Sequence, residues 1–128
     1  MIVDSSALLA IVFKEPGFEG LVTKVADASH AGMGAPTLAE SAIVLSARCG
    51  FDARPILARL IQELAIATIA FGEPHWRAAA DAYDRYGRGR HAAGLNFGDC
   101  LTYATAKLSA QPLLFVGEDF ARTDLEAA

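Results

Sequence analysis

Short apolar runs alternate with longer amphipathic stretches along the chain, the pattern of a parallel sheet covered by helices. Strands are predicted at Met1–Val3, Gly32–Ala35, Ala65–Phe71 and Leu113–Val116. Helices are predicted at Ala7–Phe13, Phe18–Ala28, Thr37–Arg48, Asp52–Leu64, Glu73–Tyr86 and Asn96–Ser109. Ser5 and Ser6 are predicted to cap the first helix, and Pro36 to end the second strand. The pattern and the length predict one α/β domain over residues 1–128.

The chain has a high apolar content, 53% of its residues, and a mean hydropathy of +0.30. The longest apolar run near the start, Ala7–Phe13, is far shorter than the roughly 20 residues of a membrane span. The sequence predicts no contact with a membrane. It predicts a cytoplasmic location. The surplus apolar surface predicts an interface with another chain, with the helices before residue 65 as candidates. Trp76 and Tyr83, seven residues apart on a predicted helix, are expected to pack.

Cysteine content and net charge narrow the function further. Cys49 and Cys100 both fall in predicted helices without zinc-site spacing, so both are predicted to be reduced thiols. The net charge of −4 argues against a broad electrostatic grip on nucleic acid. It does not exclude a nuclease, because two divalent ions held by carboxylates add about four positive charges locally.

Four acidic residues occupy comparable places in the predicted fold. Asp4 ends the first strand, Glu40 and Asp99 lie in the first turns of two helices, and Asp119 follows the last strand. Because the carboxyl ends of parallel strands share one edge of a sheet, these four side chains are predicted to meet in one cleft.

A cleft of carboxylates needs a counterion. Two like charges about 4 Å apart repel by roughly 4 kcal/mol at an effective dielectric of 20. Mg²⁺ or Mn²⁺ suits all-oxygen ligands, and two such ions about 3.5–4 Å apart can activate water and stabilise the leaving oxygen of a phosphodiester. No nucleophile paired with a base and no glycine-rich phosphate loop offers another chemistry.

Each acid also has a purely structural interpretation. Thr37-x-x-Glu40 and, more loosely, Asn96-x-x-Asp99 fit capping boxes, in which the acid closes a helix end. Asp4 after a strand fits an ordinary helix cap, and Asp119 fits a solvated loop residue. The joint placement of the acids, rather than any one of them, favours a metal site.

Four segments carry a resemblance to a known family. The segments are Met1–Ile11, Thr37–Ser41, Leu95–Cys100 and Leu113–Phe120. In order and spacing, over essentially its whole length, the chain closely resembles the VapC toxins of the PIN-domain superfamily.

The resemblance implies a fold, a reaction and a set of partners. The fold is a three-layer α/β/α sandwich with a short central parallel sheet. The reaction is Mg²⁺- or Mn²⁺-dependent cleavage of RNA, leaving a 5′-phosphate and a 3′-hydroxyl. A cognate VapB-like antitoxin is expected to bind the chain and block its site, within a homodimer and a toxin–antitoxin hetero-oligomer.

The resemblance also implies roles for individual residues. The acidic positions of the family are matched by Asp4, Glu40, Asp99 and Asp119. Ser6 matches a hydroxyl position that supports the metal site through hydrogen bonds. Either Glu118 or Asp119 is able to point inward, and Asp119 is preferred because it holds the motif position before Phe120.

One basic loop immediately precedes the Asp99 motif. Arginines beside flexible glycines suit phosphate contacts, so Arg88 and Arg90 are predicted to touch RNA. The alternative is a solvated loop, with Arg85 pairing with Asp81 or Asp84 along the helix.

Three functions follow from this sequence. The first is a metal-dependent endoribonuclease toxin held inactive by a partner. The second is a catalytically silent PIN-like module that only regulates its partner. The third, a phosphatase with Asp4 as nucleophile, is ranked last because Ser6 stands where that chemistry usually has a second acid.

Overall fold

The computed structural model describes residues 1–128 and contains four strands, six α-helices and a final 3₁₀ turn. The strands are β1 (Ile2–Val3), β2 (Ala31–Gly34), β3 (Ile66–Ile69) and β4 (Leu113–Leu114). The helices are α1 (Ser5–Val12), α2 (Phe18–Asp27), α3 (Ala35–Cys49), α4 (Arg54–Glu63), α5 (Glu73–Tyr86) and α6 (Phe97–Ser109). The 3₁₀ turn covers Phe120–Arg122. No helix is long and apolar enough to cross a membrane.

The sheet is parallel and separates two apolar cores. Successive residues of a strand face opposite sides, so Ile2 and Leu113 point to one core and Val3 and Leu114 to the other. Helices α5 and α6 cover the first face, and α1 to α4 cover the second. The predicted three-layer α/β/α sandwich with a short parallel sheet is confirmed.

The strand order places a crevice beside β1. The order is β3-β2-β1-β4, so the chain moves from β1 to one side and returns to the other. Ligands of open parallel sheets bind outside the carboxyl ends of the strands where the order reverses. Asp4 lies at that point, and its amide donates to the Leu114 carbonyl over 2.9 Å.

The starts of α1 and α3 were predicted wrongly, in each case because the helix begins earlier than expected. Ser5 and Ser6 do not cap α1 but are its first residues, and Asp4 is the cap, its Oδ2 accepting from the Ser6 amide. Pro36 does not end β2 but lies in the first turn of α3. Proline suits that turn because its fixed φ matches the helix and its missing N–H is not needed there.

The two predicted capping boxes have opposite outcomes. The box at Thr37 and Glu40 was wrong, because Gly34 is the cap residue of α3 and Thr37 already lies inside the helix. The box at Asn96 and Asp99 is confirmed: Asp99 N donates to Asn96 Oδ1 over 2.8 Å, and Asn96 N donates to Asp99 Oδ2 over 3.0 Å. Glu40 therefore has no capping duty.

Candidate active site

Asp4 is the buried centre of the site, with only 4% of its surface exposed. Its Oδ2 accepts hydrogen bonds from the amide and the hydroxyl of Ser6, at 3.0 and 2.6 Å. Its Oδ1 accepts from the Thr102 hydroxyl at 2.8 Å. Asp4 is both the predicted strand-end acid and a helix cap, so the two interpretations of this residue coexist.

Asp99 lies half-buried in the first turn of α6, facing the same crevice. Burial raises the pKa of its carboxyl to about 6. The hydrogen bond from the Asn96 amide opposes that rise in pKa, and the negative charges of Asp4, Asp119 and Glu40 add to it. The four predicted acids therefore lie within electrostatic reach of one another around Asp99.

Glu40 lies at the exposed rim of the site, in α3. Its Oε1 accepts a hydrogen bond from the Ser5 hydroxyl at 3.0 Å. Gly98, next to Asp99, lies directly against the Glu40 carboxylate, so that a Cβ at position 98 would overlap Oε2. No local sequence pattern indicates these contacts of Ser5 and Gly98, because both depend on how α1, α3 and α6 meet.

Gly98→Ala is expected to impair the site without unfolding the chain. Alanine favours the helix, but its methyl group would push the exposed Glu40 carboxylate away from Ser5. Misplacement of a functional group by about 1 Å can cost on the order of 10²-fold in rate, and we expect a loss of that order in RNA cleavage at unchanged helix content. Gly20→Ala is the matched control, since nothing lies within 4 Å of a Cβ there. Full cleavage by Gly98→Ala would show that the space beside Gly98 is not needed to place the Glu40 carboxylate for the reaction.

Asp119 lies in the exposed segment after β4. Its charge raises the pKa of Asp99, whereas Glu118 is not among the groups that do so. Ser6 ties this segment to Asp4, because its hydroxyl accepts from the Val116 amide at 3.0 Å while donating to Asp4. The electrostatic field therefore favours Asp119 over Glu118 as the fourth acid of the site.

The carboxylates do not form a ready-made metal centre. No three side chains of His, Cys, Asp or Glu lie close enough together to hold an ion as they stand. Carboxylates that share a cleft repel one another, and the raised pKa of Asp99 records that cost together with burial. An all-oxygen donor set with this repulsion suits a hard divalent cation such as Mg²⁺ or Mn²⁺.

The arginines of the basic loop pair differently from the solvated-loop alternative. That alternative paired Arg85 with Asp81 or Asp84, whereas the Arg85 guanidinium lies 3.8 Å from Asp124 near the end of the chain. Arg90 pairs with Asp84, at 3.9 Å. Arg88 is exposed and forms no ion pair. RNA contact by Arg88 and Arg90 stays a prediction.

An apolar groove opens between α5 and α6, on the Asp99 side of the molecule. It has a volume of about 540 Å³ and only hydrophobic lining, with Phe71, Trp76, Ala79, Ala80, Tyr83, Phe97, Cys100 and Leu101. Phe97 is 78% exposed and Trp76 is 52% exposed. The prediction that Trp76 and Tyr83 are packed was wrong, because both line this open groove.

Comparison with known protein families identifies the class of protein to which this fold and acidic cleft belong. The PIN-domain family profile matches residues 1–126, so this is a PIN-domain protein.

Individual relatives narrow the class. The chain is 51% identical to ribonuclease VapC36 of Mycobacterium tuberculosis, over 98% of this chain and 91% of that protein. It is 45% identical to ribonuclease VapC of Mycolicibacterium smegmatis, over 99% and 98% of the two chains. The chain belongs to the VapC family of PIN-domain proteins. The resemblance seen in the sequence is confirmed.

A solved structure supports the fold independently. The crystal structure of Mycobacterium tuberculosis VapC20, described as a sarcin-ricin loop cleaving toxin, matches with a TM-score of 0.79 at 16% identity. The match covers 99% of this chain and 97% of that one. At this identity the likeness concerns the fold.

Proposed function

We propose that this chain is a Mg²⁺- or Mn²⁺-dependent endoribonuclease, the toxin of a type II toxin–antitoxin pair. One observation carries the proposal: acids from three other segments surround Asp99 at the crevice of the sheet, where burial and their charges raise its pKa. Four charges gathered in this way repel one another, and a bound cation would offset that repulsion. The names of the relatives, which are ribonucleases, favour RNA as the substrate class, and we propose the cytoplasm as the place of action.

The acids and their neighbours would share the work of holding the ions and the substrate. When bound, divalent cations activate a water molecule and stabilise charge on the leaving oxygen. Asp4, Asp99, Glu40 and Asp119 would hold them. Ser6 orients Asp4, and Ser5 orients Glu40. Attack of water on phosphorus, with the 3′ oxygen leaving, gives a 5′-phosphate and a 3′-hydroxyl.

RNA strands would approach along the basic loop. Tyr86 and Leu95 close this loop at its base, since Leu95 N donates to Tyr86 O over 2.9 Å. Arg88 and Arg90 are thereby held next to the helix that carries Asp99. Their guanidinium groups suit contacts with backbone phosphates of the RNA. The chain's net charge of −4 fits this local, rather than general, recognition of RNA.

The expected partner is a cognate VapB-like antitoxin that covers the site. A blocking segment would have to offset the charge of the acids, so a basic side chain entering the cleft is the chemistry that fits. Such a segment would compete with divalent cations for Asp4 and Asp99.

The apolar groove supports a homodimer. A two-fold interface uses the same patch on both subunits, and this patch carries both a projecting ring, Phe97, and a recess beside it.

Trp76→Glu would place a charge in the groove and is expected to convert the dimer to a monomer in light scattering. Leu108→Glu, at an exposed apolar residue of α6 outside the groove, is the control. A wild-type monomer, or a dimer unaffected by Trp76→Glu, would contradict this interface.

The test of the enzyme is cleavage by the purified, antitoxin-free chain. Total RNA is incubated with the protein in EDTA, and then with Mg²⁺ or Mn²⁺ added in excess. Cleavage is expected only with added metal, and end-labelling is expected to find 5′-phosphates. Cleavage at full rate in EDTA, or none under any condition, would overturn the proposal.

A catalytically silent PIN-like module is the second candidate. It is favoured by the open arrangement of the acids, no three of which form a ready-made metal centre. Calorimetric titration with Mn²⁺ separates the two candidates, because a silent module is expected to show no carboxylate-dependent binding.

A further inference from the structure

Two buried threonine hydroxyls lie behind the acids, on the side away from solvent. Thr102 is 2% exposed and Thr37 is 4% exposed. Their Oγ1 atoms lie 3.1 Å apart, and Thr102 Oγ1 lies 2.8 Å from Asp4 Oδ1. Neither threonine belongs to the acidic set, and helical periodicity alone marks both as core positions.

The proton directions in this chain of contacts follow from the donors present. An ionised carboxylate only accepts, so Thr102 must give its one hydroxyl proton to Asp4. Thr102 then has only lone pairs to offer, and the proton in the contact between the two hydroxyls comes from Thr37. These two hydrogen bonds form a chain, here called the relay, from the Thr37 hydroxyl to the Thr102 hydroxyl to the Asp4 carboxylate. Each bond polarises the next.

The relay joins the elements that carry three of the acids. Thr37 lies one helical turn before Glu40 in α3, and Thr102 lies one turn after Asp99 in α6. Residues three apart share a helix face. The two hydroxyls therefore lock α3 and α6 to the end of β1, where Asp4 stands.

The relay also limits what the Asp4 carboxylate is free to bind. A carboxylate has about four lone-pair sites. The Ser6 amide, the Ser6 hydroxyl and the Thr102 hydroxyl occupy three of them. About one lone pair of the Asp4 carboxylate is left for another ligand. Because hydrogen bonds reach both of its oxygens, the plane of the carboxylate is fixed.

We propose that Thr102, supported by Thr37, is a positioning residue that fixes the Asp4 carboxylate so that its remaining lone pair faces a divalent cation. This inference rests on the proposed metal-dependent function and adds to it the device that orients the central ligand. Outer hydrogen-bond partners of metal ligands commonly contribute about 10–100-fold in metal affinity.

The test compares Mn²⁺ binding, without RNA, by variants of the full chain. Thr102→Val keeps the shape of the side chain and removes the hydroxyl. It is expected to raise the Kd for Mn²⁺ by about 10–100-fold in calorimetry. The kcat/KM for RNA is expected to fall in parallel. Thr102→Ser restores a hydroxyl and is expected to recover most of both losses.

Thr105→Val is the matched control. Thr105 is equally buried on the same helix, but its hydroxyl donates to the Leu101 carbonyl at 3.1 Å and touches no acid. It is expected to bind Mn²⁺ as the wild type does. Should Thr102→Val fail to fold by circular dichroism, Thr37→Val breaks the relay one step further from Asp4 and is expected to weaken Mn²⁺ binding as well.

The outcomes separate this inference from the function on which it rests. A wild type that binds Mn²⁺, with Thr102→Val binding equally well, overturns the relay and leaves the nuclease proposal standing. Equal weakening by Thr102→Val and Thr105→Val reduces Thr102 to a packing role and also overturns it. A wild type without Mn²⁺ binding overturns both proposals.

Discussion

Replacing Asp4 by Asn is expected to reduce RNA cleavage by about 10³-fold, the upper end of the range for removing one preorganised group that stabilises charge. The substitution keeps the size of the side chain but removes the central negative charge of the cleft. Both carboxylate oxygens of Asp4 accept hydrogen bonds, so an amide NH₂ at either position would face a donor from Ser6 or Thr102. The ligand would lose its orientation together with its charge.

Glu118→Gln is the control for this loss. It removes a carboxylate from the exposed segment after β4, where the charge of Glu118 does not reach Asp99. Its cleavage rate is expected to match the wild type, measured as initial rates on a labelled RNA with saturating Mn²⁺. An Asp4→Asn variant that folds and cleaves at wild-type rate would remove Asp4 from the metal site.

Asp99→Asn is expected to abolish cleavage and, in the absence of metal, to stabilise the fold. The pKa of Asp99 is raised from 3.8 to about 6, so the folded protein holds a proton that the unfolded chain releases. Stability of the metal-free wild type therefore falls as the pH rises from about 4 to about 6, and the cost persists above that range. An asparagine side chain at this position would avoid that cost, while its Oδ1 could still accept from the Asn96 amide.

Thermal unfolding in EDTA measures this effect. At about pH 7.5, Asp99→Asn is expected to gain about 1 kcal/mol after allowance for solvent screening, or roughly 4 °C in Tm. At about pH 4 the two proteins are expected to unfold together. Burial acts to raise the pKa of Asp124, but hydrogen bonds from Lys107 and Tyr103 lower it to about 2, and this affects both proteins alike.

Added Mn²⁺ is expected to reverse the order of the two proteins. An ion that binds the folded wild type raises its Tm, whereas Asp99→Asn has lost a ligand and is expected to respond little. A variant that is less stable than the wild type in EDTA at neutral pH would contradict the electrostatic cost assigned to Asp99.

Local signals were enough to place the acids, because each depends on the end of one element. Asp4 follows an apolar strand, and Asn96 with Asp99 forms a capping box that closes within one turn. Glu40 was placed at the correct edge but given a capping role that Gly34 makes unnecessary. The predicted start of α3 depended on the interpretation of Pro36. A proline that ends a strand and a proline in the first turn of a helix look alike in a sequence.

Contacts between distant segments were beyond such reasoning. The pairing of Arg85 with Asp124 joins α5 to the end of the chain, and the relay of Thr37 and Thr102 joins residues 65 positions apart. The spacing of threonines along a helix predicts that they are buried. Their hydrogen-bond partners become evident only from the way the helices pack together. The exposure of Trp76 likewise depends on how far α5 stands from α6, which periodicity does not specify.

Diffraction from crystals grown with Mn²⁺ tests the central claim most directly. Anomalous scattering locates manganese independently of any activity. Anomalous peaks are expected in the crevice between Asp4 and Asp99, with Glu40 and Asp119 turned inward, and these peaks are expected to be lost in Asp99→Asn crystals. Wild-type crystals with no peak at this cleft, or with manganese bound only elsewhere, would contradict the assignment of a metal-dependent site.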